Sequence, residues 1–174
     1  KMPCLFVRKF FDSTGSKRFK SFELTQDITP GCEWAVTQEA IPTAKWDGTA
    51  CVVKDGRLYK RYDAKKNKVG EFRSPPLGAI PCDEPDHETG HWPHWVLVDP
   101  AKPEDKWFVE TWYDLAEKKG WDRSGESPLF GPEYHKDSAP LYDGTYELCG
   151  PAIDGNPHEL PNHLFVKHGK DRVY

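Results

Sequence analysis

Apolar and polar residues alternate with a period of two in several short runs of this chain, the pattern of half-buried β-strands. The clearest pair of runs covers residues 49–53 and 58–63, which are rich in Val, Thr and Tyr. Asp55 and Gly56 lie between them, and an Asp-Gly pair in that position is typical of a two-residue hairpin turn. The pattern therefore predicts a tight antiparallel hairpin.

The hairpin determines which residues face one another. With the Asp-Gly pair as the loop, paired residues have numbers that add up to 111, and Arg61 lies opposite Ala50. Lys45 precedes Ala50 by about five strand residues, roughly 15 Å if the chain is extended. A bend at Gly48, which has no Cβ to restrict the backbone, would shorten that gap. We therefore expect Lys45 and Arg61 to approach one anionic ligand.

The pattern continues beyond the hairpin. Residues 145–149 alternate so that Glu147 points to the opposite face from its apolar neighbours, and residues 163–168 form a further strand. Residues 107–119 predict a strand that turns into a short helix, which ends at Gly120. Short strands with few helices predict an α+β fold built on antiparallel sheets.

Composition and charge narrow the class of protein. The 174 residues and 19.9 kDa suit one domain. The net charge is −4, but residues 54–68 hold seven Lys or Arg against two Asp, and residues 83–105 hold seven Asp or Glu against one Lys. A local basic patch on a chain of net negative charge favours binding of a phosphate-rich ligand at one place. It does not favour attraction of nucleic acid over the whole surface.

The cysteines and the hydropathy predict the cellular compartment of the protein. Five widely spaced cysteines, an odd number, favour reduced thiols over a disulfide framework. No run has transmembrane length and no signal-peptide core is present. We expect an intracellular monomer, cytoplasmic or nuclear, that is neither secreted nor bound to a membrane.

Four side chains suggest a zinc site at first sight, namely Cys82, His87, His91 and His94. Their spacing, Cys-x4-His-x3-His-x2-His, fits no common structural zinc pattern. We interpret the three histidines as surface residues.

Residues 45–48, Lys-Trp-Asp-Gly, resemble the Lys-x-Asp-Gly signature of covalent nucleotidyltransferases, the superfamily of ATP-dependent ligases and mRNA-capping enzymes. In that chemistry a lysine amine attacks the α-phosphate of a nucleoside triphosphate and forms a lysine–nucleotide phosphoramidate. Partial desolvation and nearby positive charge free the amine lone pair. The same four residues also occur in ordinary surface turns, so the signature alone does not decide between a site and a turn.

A wider resemblance covers nearly the whole chain. In order and in residue type, the chain is similar to the vertebrate-type 5′-3′ RNA ligase 1 family of auto-adenylating ligases. The resemblance is carried by residues 1–7, 40–53, 58–68, 90–96, 146–150, 154–157, 163–165 and 168–169. It implies a nucleotidyltransferase (ATP-grasp-like) adenylation domain over residues 1–174. It also implies ATP and Mg²⁺ or Mn²⁺ as cofactors, and RNA with 5′-phosphate and 3′-hydroxyl ends as the partner.

The resemblance also assigns roles to single residues. Lys45 is implied as the adenylated nucleophile, and Glu147 as the contact to the ribose or the metal. Phe165 is implied as the aromatic against the purine. The other implied nucleotide-binding residues are Thr43, Ala44, Asp47, Gly48, Lys60 and Arg61. The reaction implied is a phosphoric-ester-forming ligation that suits RNA repair.

Two departures from the family pattern leave alternatives open. Ala44 stands where the family has an acidic residue directly before the nucleophile. After Glu147 there is no Glu-Gly followed by an apolar pair, and no strand-borne Lys-x-Lys. We therefore expect the domain to be incomplete at its C-terminal end. The alternatives are a DNA ligase or guanylyltransferase with the same lysine motif, or a non-catalytic nucleotide- or RNA-binding remnant.

Overall fold

The computed structural model describes residues 4–11, 22–37, 40, 44–122, 129–130, 137 and 139–169. The chain divides into two compact units, Lys1–Thr43 and Ala44–Tyr174. Whether both units belong to one adenylation domain stays a prediction.

The first unit contains a two-stranded antiparallel hairpin, β1 (Phe6–Phe10) and β2 (Phe22–Ile28). Phe10 pairs with Phe22, and their ring centroids are 5.9 Å apart. The Arg8 guanidinium lies over the Phe22 ring at 4.6 Å. A short 3₁₀ helix, Glu33–Val36, follows β2.

The second unit is built on one six-stranded sheet in which every neighbouring pair is antiparallel. The strand order across the sheet is β5-β6-β4-β3-β7-β8. The strands are β3 (Thr49–Lys54), β4 (Arg57–Asp63), β5 (Ile80–Pro81), β6 (Pro93–Leu97), β7 (Gly144–Cys149) and β8 (Leu164–Lys167). Antiparallel sheets with a single described α-helix agree with the expected α+β class.

The predicted hairpin is confirmed as β3 and β4. The pairs run from Cys51 with Lys60 to Lys54 with Arg57, so their numbers add up to 111 as expected. Asp55 and Gly56 have φ of 51° and 73°, the positive values of a type I′ turn. The side chain of Asp143 accepts hydrogen bonds from both backbone N–H groups, at 2.9 and 3.1 Å, and so braces the turn.

One face of the sheet is covered by the helix α1 (Lys106–Lys118). Phe108, Trp112 and Ala116 recur at four-residue spacing on α1 and are buried in the core. The expected strand at the start of residues 107–119 is therefore wrong. This segment is rich in aromatic and β-branched residues, which favour strands, but burial of one side chain in every four favours a helix, and the packing decides. The expected end of the helix is confirmed, with Gly120 at φ +91°.

Other sequence expectations can also be compared with the structure. The expected surface position is wrong for His94, which is 1% exposed because it lies on the core face of β6 beside buried Val96. Residues 154–156 make a turn in which all three φ values are positive. The five cysteines are free thiols. Of the helices that the structure describes, none has the length and apolar character required to cross a bilayer.

Candidate functional site

The face of the sheet opposite α1, which we call the open face, carries a row of side chains from neighbouring strands. Arg61 pairs with Trp95 of β6, and Ala50 pairs with Glu147 of β7. Extending the β3–β4 register by one residue sets Arg61 opposite Ala50. Because side chains alternate between the faces of a sheet, these four residues share one face. We call this set the open-face row.

The row lies opposite the core because its strand neighbours are the buried residues. Cys51 is next to Ala50 and is fully buried, and Tyr146 and Leu148, on either side of Glu147, are 1% and 0% exposed. The expected face of Glu147 is therefore confirmed. The structure brings Arg61 and Glu147 to the same face, on either side of β3.

Arg61 is the main cation of the row. Its side chain is 45% exposed, and its Nη2 donates to Asp63 Oδ1 at 3.1 Å. Asp63 Oδ2 lies 3.5 Å from His91 Nδ1, so the carboxylate lies between the two side chains. This arrangement orients the guanidinium and leaves nearly half of the Arg61 side chain open to an anionic ligand.

Glu147 is the acid of the row. Its side chain is 14% exposed, and its Oε2 lies 2.8 Å from His168 Nε2. His168 follows β8, and its backbone N–H bonds to Thr145 O of β7, which sets the ring beside Glu147. The second carboxylate oxygen has lone pairs for a ribose hydroxyl or a hard cation.

Negative charge at Glu147 also affects the nearby thiols. Burial raises the pKa of the Cys149 thiol to about 11, and the carboxylates of Glu147, Asp47 and Asp154 add to the rise. Burial, with Glu147 and Cys149, also raises the pKa of Cys51 well above its ordinary value. Both sulfurs therefore keep their protons at neutral pH.

Lys45 lies in the irregular stretch that leads into β3. Lys45 and Ala44 are exposed, and the expected bend at Gly48 is present. A Cβ on Gly48 would lie 2.2 Å from Leu148 O, so only glycine allows β3 to begin this close to β7. Thr43, also predicted to bind nucleotide, lies outside the described residues.

Two predicted residues are not brought to the open face. Lys60 points to the covered face, where it forms an ion pair with the fully buried Asp105. Phe165 is 0% exposed and packs edge-on against Trp112 in the core. Strand alternation is the reason in both cases, because Lys60 adjoins Arg61 and Phe165 pairs with Leu148. The buried position of Phe165 does not support the role of an aromatic against a purine.

The donor set for a metal is small. Within the described ranges, no group of three or more His, Cys, Asp or Glu residues is placed to hold a metal ion. Magnesium in nucleotide enzymes is often bound by one or two carboxylates together with substrate phosphates and water. Glu147 on the open face fits that mode, in which the nucleotide itself supplies further oxygens.

Two histidines at the site were not predicted from the sequence. His168 contacts Glu147, and His158 Nε2 accepts the backbone N–H of Asp47 at 2.8 Å. The alternation through β8 could have placed His168 on the face of Glu147. No local pattern could have indicated His158, since it lies 111 residues from Asp47 along the chain.

The chain is similar to a set of curated proteins that share one name. RNA ligase 1 of Pongo abelii is 31% identical over 222 residues, covering 99% of this chain and 67% of the relative. RNA ligase 1 of Danio rerio is 25% identical over 221 residues, and that of Mus musculus is 27% identical over 222. The chain spans about two thirds of the length of these relatives. No protein-family model matches it.

Proposed function

The chain belongs to the RNA ligase 1 family, and on that premise we propose that it is an ATP-dependent RNA ligase with a nucleotidyltransferase fold and Lys45 as its nucleophile. One structural observation carries the proposal. Arg61 and Glu147 lie on either side of Ala50 on the open face of the sheet, and β3, which begins four residues after Lys45, runs between them.

The first step is self-adenylation. The Lys45 Nζ lone pair attacks the α-phosphorus of ATP, a nitrogen–phosphorus bond forms, and the bond to the β-phosphate oxygen breaks. Pyrophosphate leaves and the amine loses a proton to solvent. Arg61 binds phosphate oxygens through its guanidinium, and Glu147 accepts a hydrogen bond from the ribose or binds the divalent cation. That cation, when bound, neutralises charge on the triphosphate.

The later steps act on RNA. An oxygen of the RNA 5′-phosphate attacks the phosphorus of the lysine-bound AMP, the nitrogen–phosphorus bond breaks, and Lys45 regains its proton. A 3′-hydroxyl oxygen then attacks the RNA 5′-phosphorus, AMP leaves, and the hydroxyl proton passes to solvent. The product is a phosphodiester bond.

The direct test of the first step is the mass of the intact protein after incubation with each nucleoside triphosphate and Mg²⁺. We expect an added AMP on the peptide that contains Lys45, and no adduct in Lys45→Arg, because a guanidinium stays protonated. Lys54→Arg, which changes an exposed lysine of the same hairpin, should be adenylated like the wild type. An adduct on a different lysine would contradict the assignment.

The mass measurement, together with a nick-sealing assay and an RNA-binding assay, separates the alternatives. A GMP adduct would indicate a guanylyltransferase, and sealing of nicked DNA in preference to nicked RNA would indicate a DNA ligase. A chain that binds RNA with no adduct from any triphosphate would indicate a non-catalytic binding protein.

The roles of the open-face row can be tested by substitution. Arg61→Ala should weaken ATP binding by about 1.5–3 kcal/mol, the scale of a hydrogen bond to a charged group. Arg57→Ala is the matched control, since Arg57 is exposed on the same face of β4, four residues away. Calorimetric titration with ATP measures both variants. Equal affinity in Arg61→Ala and the wild type would remove Arg61 from the site.

Glu147→Gln should slow adenylation while the protein stays folded, because Glu147 lies on the opposite face of the sheet from the main hydrophobic core and glutamine has nearly the same shape. Single-turnover adenylation gives the rate, and urea unfolding checks the fold. A wild-type rate in this variant would show that the carboxylate takes no part.

A further inference from the structure

We propose that His158 is a positioning residue that fixes the backbone between Lys45 and β3 and thereby aims the Lys45 amine. This role rests on the proposed function of Lys45. His158 lies in the segment of residues 150–163 that follows β7, which we call the His158 loop.

Two contacts join His158 to the stretch that carries Lys45. The backbone N–H of Asp47 donates to His158 Nε2 at 2.8 Å. The His158 and Trp46 rings are 4.7 Å apart at their centroids, with a tilt of 52°. The two residues that directly follow Lys45 are therefore both held by one side chain.

The stretch is also fixed on its other side by β7. The Cys149 thiol donates to Asp47 O at 3.8 Å, and Gly48 packs tightly against Leu148 O. Asp47 thus has its N–H and its carbonyl bound to two different segments, both C-terminal to β3 in the sequence. Of these three contacts among the described residues, the histidine contact is the one that comes from outside the sheet.

The His158 loop is braced internally, so it can act as a fixed support. Asn156 Oδ1 accepts from Leu160 N at 2.9 Å, and Asn156 Nδ2 donates to Leu160 O at 3.0 Å. Ile153 anchors the loop in the core at 8% exposure, and Ala152 N donates to His163 Nε2 at 3.2 Å. His158 therefore projects from a turn that is closed on both sides.

Such a support matters because Lys45 is exposed, so packing does not hold its side chain in place. The position of its amine then depends on the backbone of residues 45–48. A displacement of about 1 Å at a reacting group can cost on the order of 100-fold in rate. Loss of the Asp47–His158 hydrogen bond should therefore slow the chemical step more than it weakens ATP binding.

A pair of near-isosteric variants separates the two contacts. His158→Gln keeps an acceptor at the reach of Nε2 but has no ring, whereas His158→Phe keeps the ring but has no acceptor. At saturating ATP we expect His158→Phe to form the Lys45 adduct about 10- to 100-fold more slowly than the wild type, and His158→Gln to stay within about fivefold. The ATP dissociation constant should change less than about twofold in both, since His158 itself makes no proposed contact to ATP.

The control is His87→Ala, which removes an exposed histidine on a different loop and should leave the rate unchanged. Amide hydrogen exchange at Asp47, followed by NMR, gives a readout that is independent of activity. Exchange should be faster in His158→Phe than in His158→Gln.

The outcomes distinguish this role from the proposed function. A wild-type adenylation rate in His158→Phe, or unchanged Asp47 exchange, would overturn the positioning role while Lys45 remains the nucleophile. A wild-type chain that forms no Lys45 adduct would overturn the proposed function, and the positioning role with it.

Discussion

At the scale of single residues, His163 makes the free energy of unfolding depend on pH, and the folded protein is expected to lose stability as the pH falls. Its ring stacks on Trp107 at 4.4 Å, and burial lowers its pKa below the ordinary value, although Glu110 partly opposes this. The folded state then binds the proton more weakly than the unfolded state. The stabilisation is therefore complete above the ordinary histidine pKa of about 6.5 and is lost as the pH falls through the lower folded value.

We expect the unfolding free energy of the wild type to fall more steeply between pH 7 and pH 5 than that of His163→Phe. Phenylalanine keeps a ring over Trp107 but cannot titrate. Urea unfolding at each pH measures the two slopes, and their difference isolates His163 from the other histidines. Parallel slopes in the two proteins would contradict the expected sign.

The sequence predicts the position of a side chain where strand alternation decides it. Such predictions fail where the residue has a partner far along the chain. Alternation assigns Glu147 to the correct face because its apolar neighbours define the core side. Grouping Lys60 with Arg61 at one ligand disregards the same alternation, because adjacent strand residues point to opposite faces. Nothing local could indicate that buried Asp105 pairs with Lys60, or that His158 bonds to Asp47.

At the scale of elements, the β3–β4 turn depends on a residue from outside the hairpin. Both carboxylate oxygens of Asp143 accept backbone N–H groups of the turn. We expect Asp143→Ala to lower the free energy of unfolding by about 1–3 kcal/mol, because the turn loses charge-assisted hydrogen bonds. Urea denaturation gives the value.

Two further variants sharpen that measurement. Asp143→Asn keeps one acceptor oxygen and should fall between the wild type and Asp143→Ala. Glu104→Ala, which changes an exposed acid beside α1, should stay within about 0.5 kcal/mol of the wild type. No loss in Asp143→Ala would mean that the Asp-Gly turn needs no support.

The sequence predicts an element when neighbouring residues determine it. It does not predict which strands pair when the strands lie far apart in the chain. The hairpin register follows from two turn residues alone. The β3–β7 pairing joins Ala50 to Glu147 across most of the second unit, and only tertiary packing specifies it. The same packing converts the aromatic start of residues 107–119 into helix, because α1 must present Phe108, Trp112 and Ala116 to the sheet.

At the scale of the whole molecule, the main hydrophobic cluster of the described residues lies within one unit. Every residue of the main buried cluster, from Cys51 to Phe165, belongs to Ala44–Tyr174. We therefore expect a fragment of residues 44–174 to fold by itself and to show the NMR amide pattern of the six-stranded sheet. A peptide of the β1–β2 hairpin should not fold alone, since isolated two-stranded hairpins are marginal in water.

Circular dichroism and NMR of both pieces test this expectation. An unfolded 44–174 fragment would show that the second unit needs the first for stability. A folded one would allow Lys45 adenylation to be assayed in the fragment.

The period of two along β4 imposes a rule of parity on insertions within that strand. With the Asp55-Gly56 turn kept, one residue inserted between the turn and Lys60 would shift the phase of the rest of β4, turning Arg61 toward the core and exposing Lys60, so that buried Asp105 would lose its counter-ion. Two inserted residues would restore the faces, because the strand repeat is two. Length changes inside β4 should therefore be tolerated in even steps and selected against in odd ones.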